Sequence, residues 1–81
     1  MKQVKDELRF NELVIDIRDL TAKAKSPKDL QVVYEYLQTM DNLVRLNLKA
    51  ISGGRYFEDY YFNLYQAVNS KLNKLVKEVI I

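Results

Sequence analysis

The chain has 81 residues, with thirteen Lys and Arg against eleven Asp and Glu, and a formal net charge of +2. It contains no cysteine, histidine or tryptophan. The missing cysteine excludes disulfides, thiol nucleophiles and thiolate metal sites, and the missing histidine excludes a His-activated serine. A charge balance this even does not by itself indicate nucleic acid or an anionic membrane. We therefore expect one small domain, 1–81, that is not an enzyme and has no catalytic, cofactor or metal site.

The beginning of the chain is charged, and no apolar run exceeds a few residues. A secretory signal requires an apolar stretch after its basic start, and a transmembrane helix requires about 20 apolar residues. The sequence therefore predicts neither a signal peptide nor a membrane span, and we expect a cytoplasmic protein.

The first predicted helix spans residues 3–25 and is apolar on two sides. One side comprises Phe10, Leu13, Val14, Ile17, Leu20 and Ala24. The other side, nearly opposite, comprises Val4, Leu8, Ile15 and Ala22. A helix with two apolar sides either lies between neighbours or is shared between protomers. The pattern therefore favours a homodimer.

A proline marks the start of the second predicted helix, over residues 27–51. Ser26 is suited to cap the helix, Pro27 suits the first helical position, and Asp29 is placed to bond back to the cap. Because a residue before proline avoids the α region, the first helix is expected to stop near Lys25.

One stripe of the second helix repeats every three and four residues, as in helices that pack at a shallow angle. Its members are Leu30, Val33, Leu37, Met40, Val44, Asn47 and Ile51. Asn47 is the polar member, and a buried asparagine at such a position can fix register or oligomeric state. We interpret Asn47 as a candidate oligomer-register residue. The alternative is that it is solvated.

The pair Gly53-Gly54 separates the second helix from a third, predicted over residues 55–79. Ten consecutive positions at its start hold six aromatic residues, which are Tyr56, Phe57, Tyr60, Tyr61, Phe62 and Tyr65. The predicted buried face comprises Phe57, Tyr61, Leu64, Val68, Leu72, Leu75 and Val79.

Three rings of this cluster point away from the predicted buried face. Tyr56 and Tyr60 lie on one side of it, and Phe62 lies on the other. A second apolar surface on so small a protein is typical of a binding site. We therefore predict that Arg55, Tyr56, Tyr60 and Phe62 form a partner surface. The alternative is that a neighbouring helix covers these rings.

These patterns predict an all-α, antiparallel three-helix bundle, with a homodimer as the way in which it would complete its core. The predicted function is that of a non-enzymatic interaction module that binds another protein and inhibits or tethers it. The alternative is a small nucleic-acid-binding protein that uses Arg55, Lys71, Lys74 and Lys77. Glu12, Asp16 and Asp19 share a helical face, but such acidic stripes are usually solvated, so no metal site is predicted.

In size and composition the chain resembles small helical regulators and inhibitors of bacteriophages and mobile elements. Its shape is also loosely similar to that of the helical bacteriocin immunity proteins. The likeness is compositional and covers no defined residues. It implies a small protein that acts by binding another protein.

Overall fold

The computed structural model describes the backbone of residues 2–48 and 54–80, and the side chains of 5–48 and 54–78. Within these ranges the chain forms three helices and no strand. Helix α1 spans Lys2–Lys23, α2 spans Gln31–Leu43, and α3 spans Gly54–Ile80. The predicted all-α bundle is confirmed.

The direction of each helix follows from the side chains that meet. Phe10 near the start of α1 contacts Phe57 near the start of α3, so these two helices run parallel. Tyr34 near the start of α2 contacts Tyr65 further along α3, so α2 runs antiparallel to α3. Helix α2 therefore returns the chain between its two neighbours, as the short connections predict.

The link between α1 and α2 differs slightly from the predicted one. Helix α1 ends at Lys23 rather than near Lys25, and a 3-10 turn over Pro27–Leu30 precedes α2. The Asp29 carboxylate accepts hydrogen bonds from the backbone N–H groups of Lys25 and Ser26, at 2.9 and 3.2 Å. These bonds, the Lys25 bond foremost, hold the pKa of Asp29 below its usual value.

The last turn of the second helical segment is a π-helix over Val44–Leu48. A π-turn closes i to i+5 hydrogen bonds and so takes up one more residue than an α-turn. Leu48, which is 0% exposed, occupies the seam after Val44, whereas Asn47 is only half-buried. The seam predicted to continue through Asn47 therefore continues through Leu48. Ala50, Ile51, Ser52 and Gly53 lie outside the described residues.

All three helices contribute to one apolar core. Its buried members are Phe10, Leu13, Val14, Ile17, Ala24, Leu30, Val33, Leu37, Met40, Val44, Leu48, Leu64, Val68 and Leu75. Among the described residues no polar or charged side chain is buried. The side chains of Val4 and Val79, predicted on apolar faces, are outside the described set. No helix in the described part of the chain is both long and apolar enough to cross a membrane.

Candidate protein-binding surfaces

The aromatic cluster of α3 is divided between the core and the surface. Phe57 and Tyr60 pack edge-on against Phe10 of α1, with ring centroids 5.0 and 6.0 Å apart. Tyr65 packs edge-on against Tyr34 of α2 at 6.0 Å, and Tyr61 contacts Tyr65 at the same distance. Phe57, Tyr60 and Tyr65 thus connect α3 to its neighbours. Tyr61 and Tyr56 contact other rings of α3, with the Tyr56 centroid 5.4 Å from that of Phe57 and 5.9 Å from that of Tyr60.

Tyr34, on the α2 side, is a polar anchor as well as a packing group. The Tyr34 hydroxyl donates a hydrogen bond to Oδ1 of Asn69, which links α2 to α3. Burial is the main cause that raises the pKa of Tyr34 and of Tyr61, and Tyr65 adds to both shifts. Both phenols therefore remain neutral over the physiological pH range, and the Tyr34 hydroxyl keeps the proton that it donates to Asn69.

Two rings of the cluster are more than half exposed. Tyr56 is 60% exposed and Phe62 is 58% exposed. Six residues of helix separate them by about 9 Å along the axis and about 120° around it, so they flank the outward side of α3. The exposed residues Arg55 and Asp59 lie between them on that side. We call Arg55, Tyr56, Asp59 and Phe62 the outer α3 surface.

Of the four residues predicted as a partner surface, three share this outer α3 surface and Tyr60 does not. Tyr60 is half-buried because its ring packs on Phe10. It lines instead the groove between α1 and α3, together with Arg18 and Ala67. A helical wheel drawn from the sequence cannot separate Tyr56 from Tyr60, since the two side chains differ by only about 40° in direction.

The groove between α1 and α3 widens beyond Tyr60. Its wider part encloses about 430 Å³ and has Leu64 and Val68, both buried, as its floor. The other lining residues are Arg18, Thr21, Ala22, Ala67, Ser70, Lys71 and Lys74. The Thr21 hydroxyl donates to the carbonyl of Ile17 at 2.6 Å, so it is already bonded within α1. We call this feature, from Tyr60 to Lys74, the α1–α3 groove.

The groove is open because its two walls differ in side-chain size along their length. Near the helix starts, the rings of Phe10, Phe57 and Tyr60 fill the space between α1 and α3. Further along, Ala22, Ala67 and Ser70 are too small to close the same distance. The channel therefore lies where small residues take the place of the large rings.

All the charged residues that line the groove are cations: Arg18, Lys71 and Lys74. The ion pairs observed among the described residues are elsewhere: Arg9 with Glu12, Lys23 with Asp19, and Arg45 with Asp41. The three groove cations thus make no ion pair within the described part of the chain. Of the cations predicted for nucleic acid, the groove gathers Lys71 and Lys74 but not Arg55 or Lys77.

The outer side of α1 carries the second apolar stripe that its sequence predicts. Leu8 is 57% exposed and Ile15 is 67% exposed, on the side opposite the buried Phe10 and Ile17. Ala22 continues the same stripe and is exposed. Nothing in the described chain covers this side of α1.

The acidic residues of α1 are partly engaged by neighbouring cations. Glu12 lies 3.5 Å from Arg9, and Asp19 lies 3.1 Å from Lys23. Among the described residues there is no group of acidic side chains arranged to hold a metal ion.

Comparison with known proteins places no constraint on function. No family model, no curated protein and no solved structure matches this chain. Function must therefore be argued from the surfaces themselves.

Proposed function

We propose that the chain is a small, non-enzymatic interaction module that binds another protein and thereby inhibits or tethers it. The observation that carries this proposal is the outer α3 surface, where Tyr56 and Phe62 stay more than half exposed while Tyr65 is 37% exposed and Phe57, Tyr60 and Tyr61 are half-buried. Exposed aromatic rings beside an arginine are the residues that most often anchor protein interfaces. Each such anchor contributes about 2 kcal/mol or more to binding.

The outer α3 surface has the composition of an interface centre and rim. Tyr56 and Phe62 offer two apolar contacts, and Arg55 and Asp59 between them offer charges of both signs. A partner that covers the outward side of the first turns of α3 contacts both rings at once. Arg55 and Asp59 then set its orientation, because charged groups contribute more to specificity than to affinity.

The proposal is tested by site-specific photocrosslinking in cells that carry the native chain. A p-benzoylphenylalanine side chain replaces Phe62 in one variant, Tyr56 in a second, and the exposed Gln38 of α2 in a control. We expect positions 62 and 56 to crosslink the same protein, and position 38 to crosslink none. Adding Tyr56→Ser to the position 62 variant should then reduce its crosslink. Equal crosslinking from positions 62 and 38 would refute the proposal.

A homodimer through the outer side of α1 is proposed alongside this function. The supporting observation is the exposure of Leu8 and Ile15 on the side of α1 that faces away from the core. In a symmetric dimer this stripe would meet its own copy. Partner binding on α3 and self-association on α1 involve different helices, so the two proposals can fail independently.

A further inference from the structure

We propose that the α1–α3 groove is the docking site for an acidic, amphipathic helix of a partner protein. This inference rests on the proposed function and adds to it the place and the chemistry of a contact separate from the outer α3 surface. The first support is the shape of the groove. From Tyr60 to Lys74 it follows α3 for about 20 Å, which is the length of about four helical turns.

The small residues at the edges of the groove also suit a helix. Two parallel helices form its walls, and Ala22, Ala67 and Ser70 at its edges leave room for a third backbone to approach. Helices pack with their axes about 8–10 Å apart, the smaller values where the contact residues are small. A helix laid in the groove would cover the exposed edges of Leu64 and Ala67 and convert three helices into a four-helix bundle.

Charge decides which helix the groove accepts. Arg18 projects from the α1 wall, Lys71 and Lys74 project from the α3 wall, and no acidic side chain lines the space between them. A helix with an apolar stripe and acidic flanks meets the floor and both walls with complementary groups. A second copy of this chain docked groove to groove would instead bring the same cations together.

The apolar floor also distinguishes a helix from a nucleic acid. Phosphate groups would match Arg18, Lys71 and Lys74, but a sugar-phosphate backbone leaves the exposed apolar lining, Ala22 and Ala67, without apolar contacts. Stacking of bases requires exposed rings, and the one ring in the groove, Tyr60, packs on Phe10. An amphipathic helix contacts both the apolar lining and the cations of the groove.

The test uses a synthetic peptide of about 15 residues with leucines at helical spacing and glutamates on both flanks. A tryptophan in the peptide reports binding without interference, because the protein itself contains none. We expect saturable binding in the micromolar range, between about 1 and 100 μM, with amide shifts at Ala67 and Ser70, which lie on α3 and outside the proposed dimer stripe. A peptide of the same composition in scrambled order and one with lysines in place of glutamates should not bind.

Two groove variants and two matched controls make the location testable. Lys71→Glu with Lys74→Glu should weaken peptide binding at least about tenfold, and Lys25→Glu with Lys77→Glu, which changes the net charge equally, should not. Ala67→Phe fills the groove and should also weaken peptide binding. Its control, Gln66→Phe, places the same ring on the outward side of α3 and should not. Ala67 and Gln66 are both exposed, so both variants should fold, which circular dichroism verifies.

Four outcomes would overturn the inference. The first is equal binding of the scrambled or lysine peptide, and the second is an equal loss of binding in the control variants. The third is amide shifts at Ala67 and Ser70 on self-association without peptide, and the fourth is tighter binding of an oligothymidylate than of the acidic peptide. In one combination of results, the acidic peptide fails to bind wild type, but the Lys71→Glu and Lys74→Glu variant still captures the protein that is crosslinked from position 62. The groove inference then fails and the proposed function stands. If the acidic peptide binds the groove while positions 62 and 56 crosslink no protein, the outer α3 surface fails as the binding site and the groove remains.

Discussion

Burial separates the aromatic residues of α3 more sharply than their spacing does. Tyr56 and Phe62 lie mostly in solvent, whereas Phe57 and Tyr60 pack on Phe10, which is itself almost completely buried. A side chain that is already exposed loses little when it becomes polar. One that fills the core leaves a cavity when it is truncated.

We predict that Tyr56→Ser and Phe62→Ser each change the free energy of unfolding by less than about 1 kcal/mol. Phe10→Ala, the internal comparison, should lower it by about 3 to 5 kcal/mol, because the rings of Phe57 and Tyr60 lose their shared partner. Urea denaturation followed by circular dichroism measures all three. If the two serine variants are as unstable as Phe10→Ala, the outer α3 surface is part of the core and not a binding site.

Asp29 supplies a second prediction, on pH. Its pKa is lowered in the folded chain by the backbone N–H groups of Lys25 and Ser26, so its contribution to stability is present above the unfolded pKa of about 4 and is lost as pH falls through the folded value. Asp29→Asn should therefore be less stable than wild type at neutral pH, and the difference should shrink below about pH 4. Urea midpoints at a series of pH values measure it. A difference that is constant with pH would contradict the assigned role.

At the scale of elements, the helices could be predicted from sequence but their irregular turns could not. Pro27 and the apolar periods locate α1, α2 and α3, because local chemistry determines where a helix starts and which side it buries. The π-turn at Val44–Leu48 has no comparable local signal, and Leu48, its last residue, is fully buried. Which of Asn47 and Leu48 takes the seam depends on the neighbouring helices, so the register role predicted for Asn47 stays a prediction.

The π-turn implies an uneven response to single-residue deletions. Removing Asn47 allows the turn to become α-helical, with Leu48 still next in the seam after Val44 and a loss of at most about 2 kcal/mol. Removing the exposed Gln38 rotates every later residue of α2 by about 100° and takes Met40 and Val44 out of the core. We expect the first deletion to fold and the second to unfold, as measured by thermal melts. If both deletions lower the melting temperature by a similar amount, the π-turn does not accommodate the loss of a residue.

At the scale of the whole molecule, the outer α3 surface was partly predictable and the α1–α3 groove was not. Aromatic density and helical direction are properties of one segment, and they identify Tyr56 and Phe62. The groove requires Ala22 of α1 and Ala67 of α3 to lie opposite each other. It also requires that the large rings of α1 and α3 lie at another level of the two helices. These conditions involve two helices that are not adjacent in sequence.

Self-association is also predicted at this scale. We expect sedimentation equilibrium to show a mass that rises from 9.6 kDa toward twice that value at high micromolar concentration. Ile15→Lys should return the protein to a monomer because it places a like charge at the centre of the proposed interface. Gln38→Lys is the matched control on α2. Persistence of the 9.6 kDa species alone, throughout the concentration range, would rule out the dimer.

The elongated outline of the bundle, 50 Å by 17 Å by 15 Å, affects how that measurement must be made. A rod diffuses more slowly than a sphere of equal mass and reorients slowly about its short axes. Most amide N–H bonds in α1, α2 and α3 run close to the long axis, so their NMR relaxation follows that slow tumbling. A lone molecule will consequently elute early from a sizing column and relax like a heavier protein. Only a method that measures molecular mass independently of friction, such as sedimentation equilibrium, can determine the number of chains in the particle.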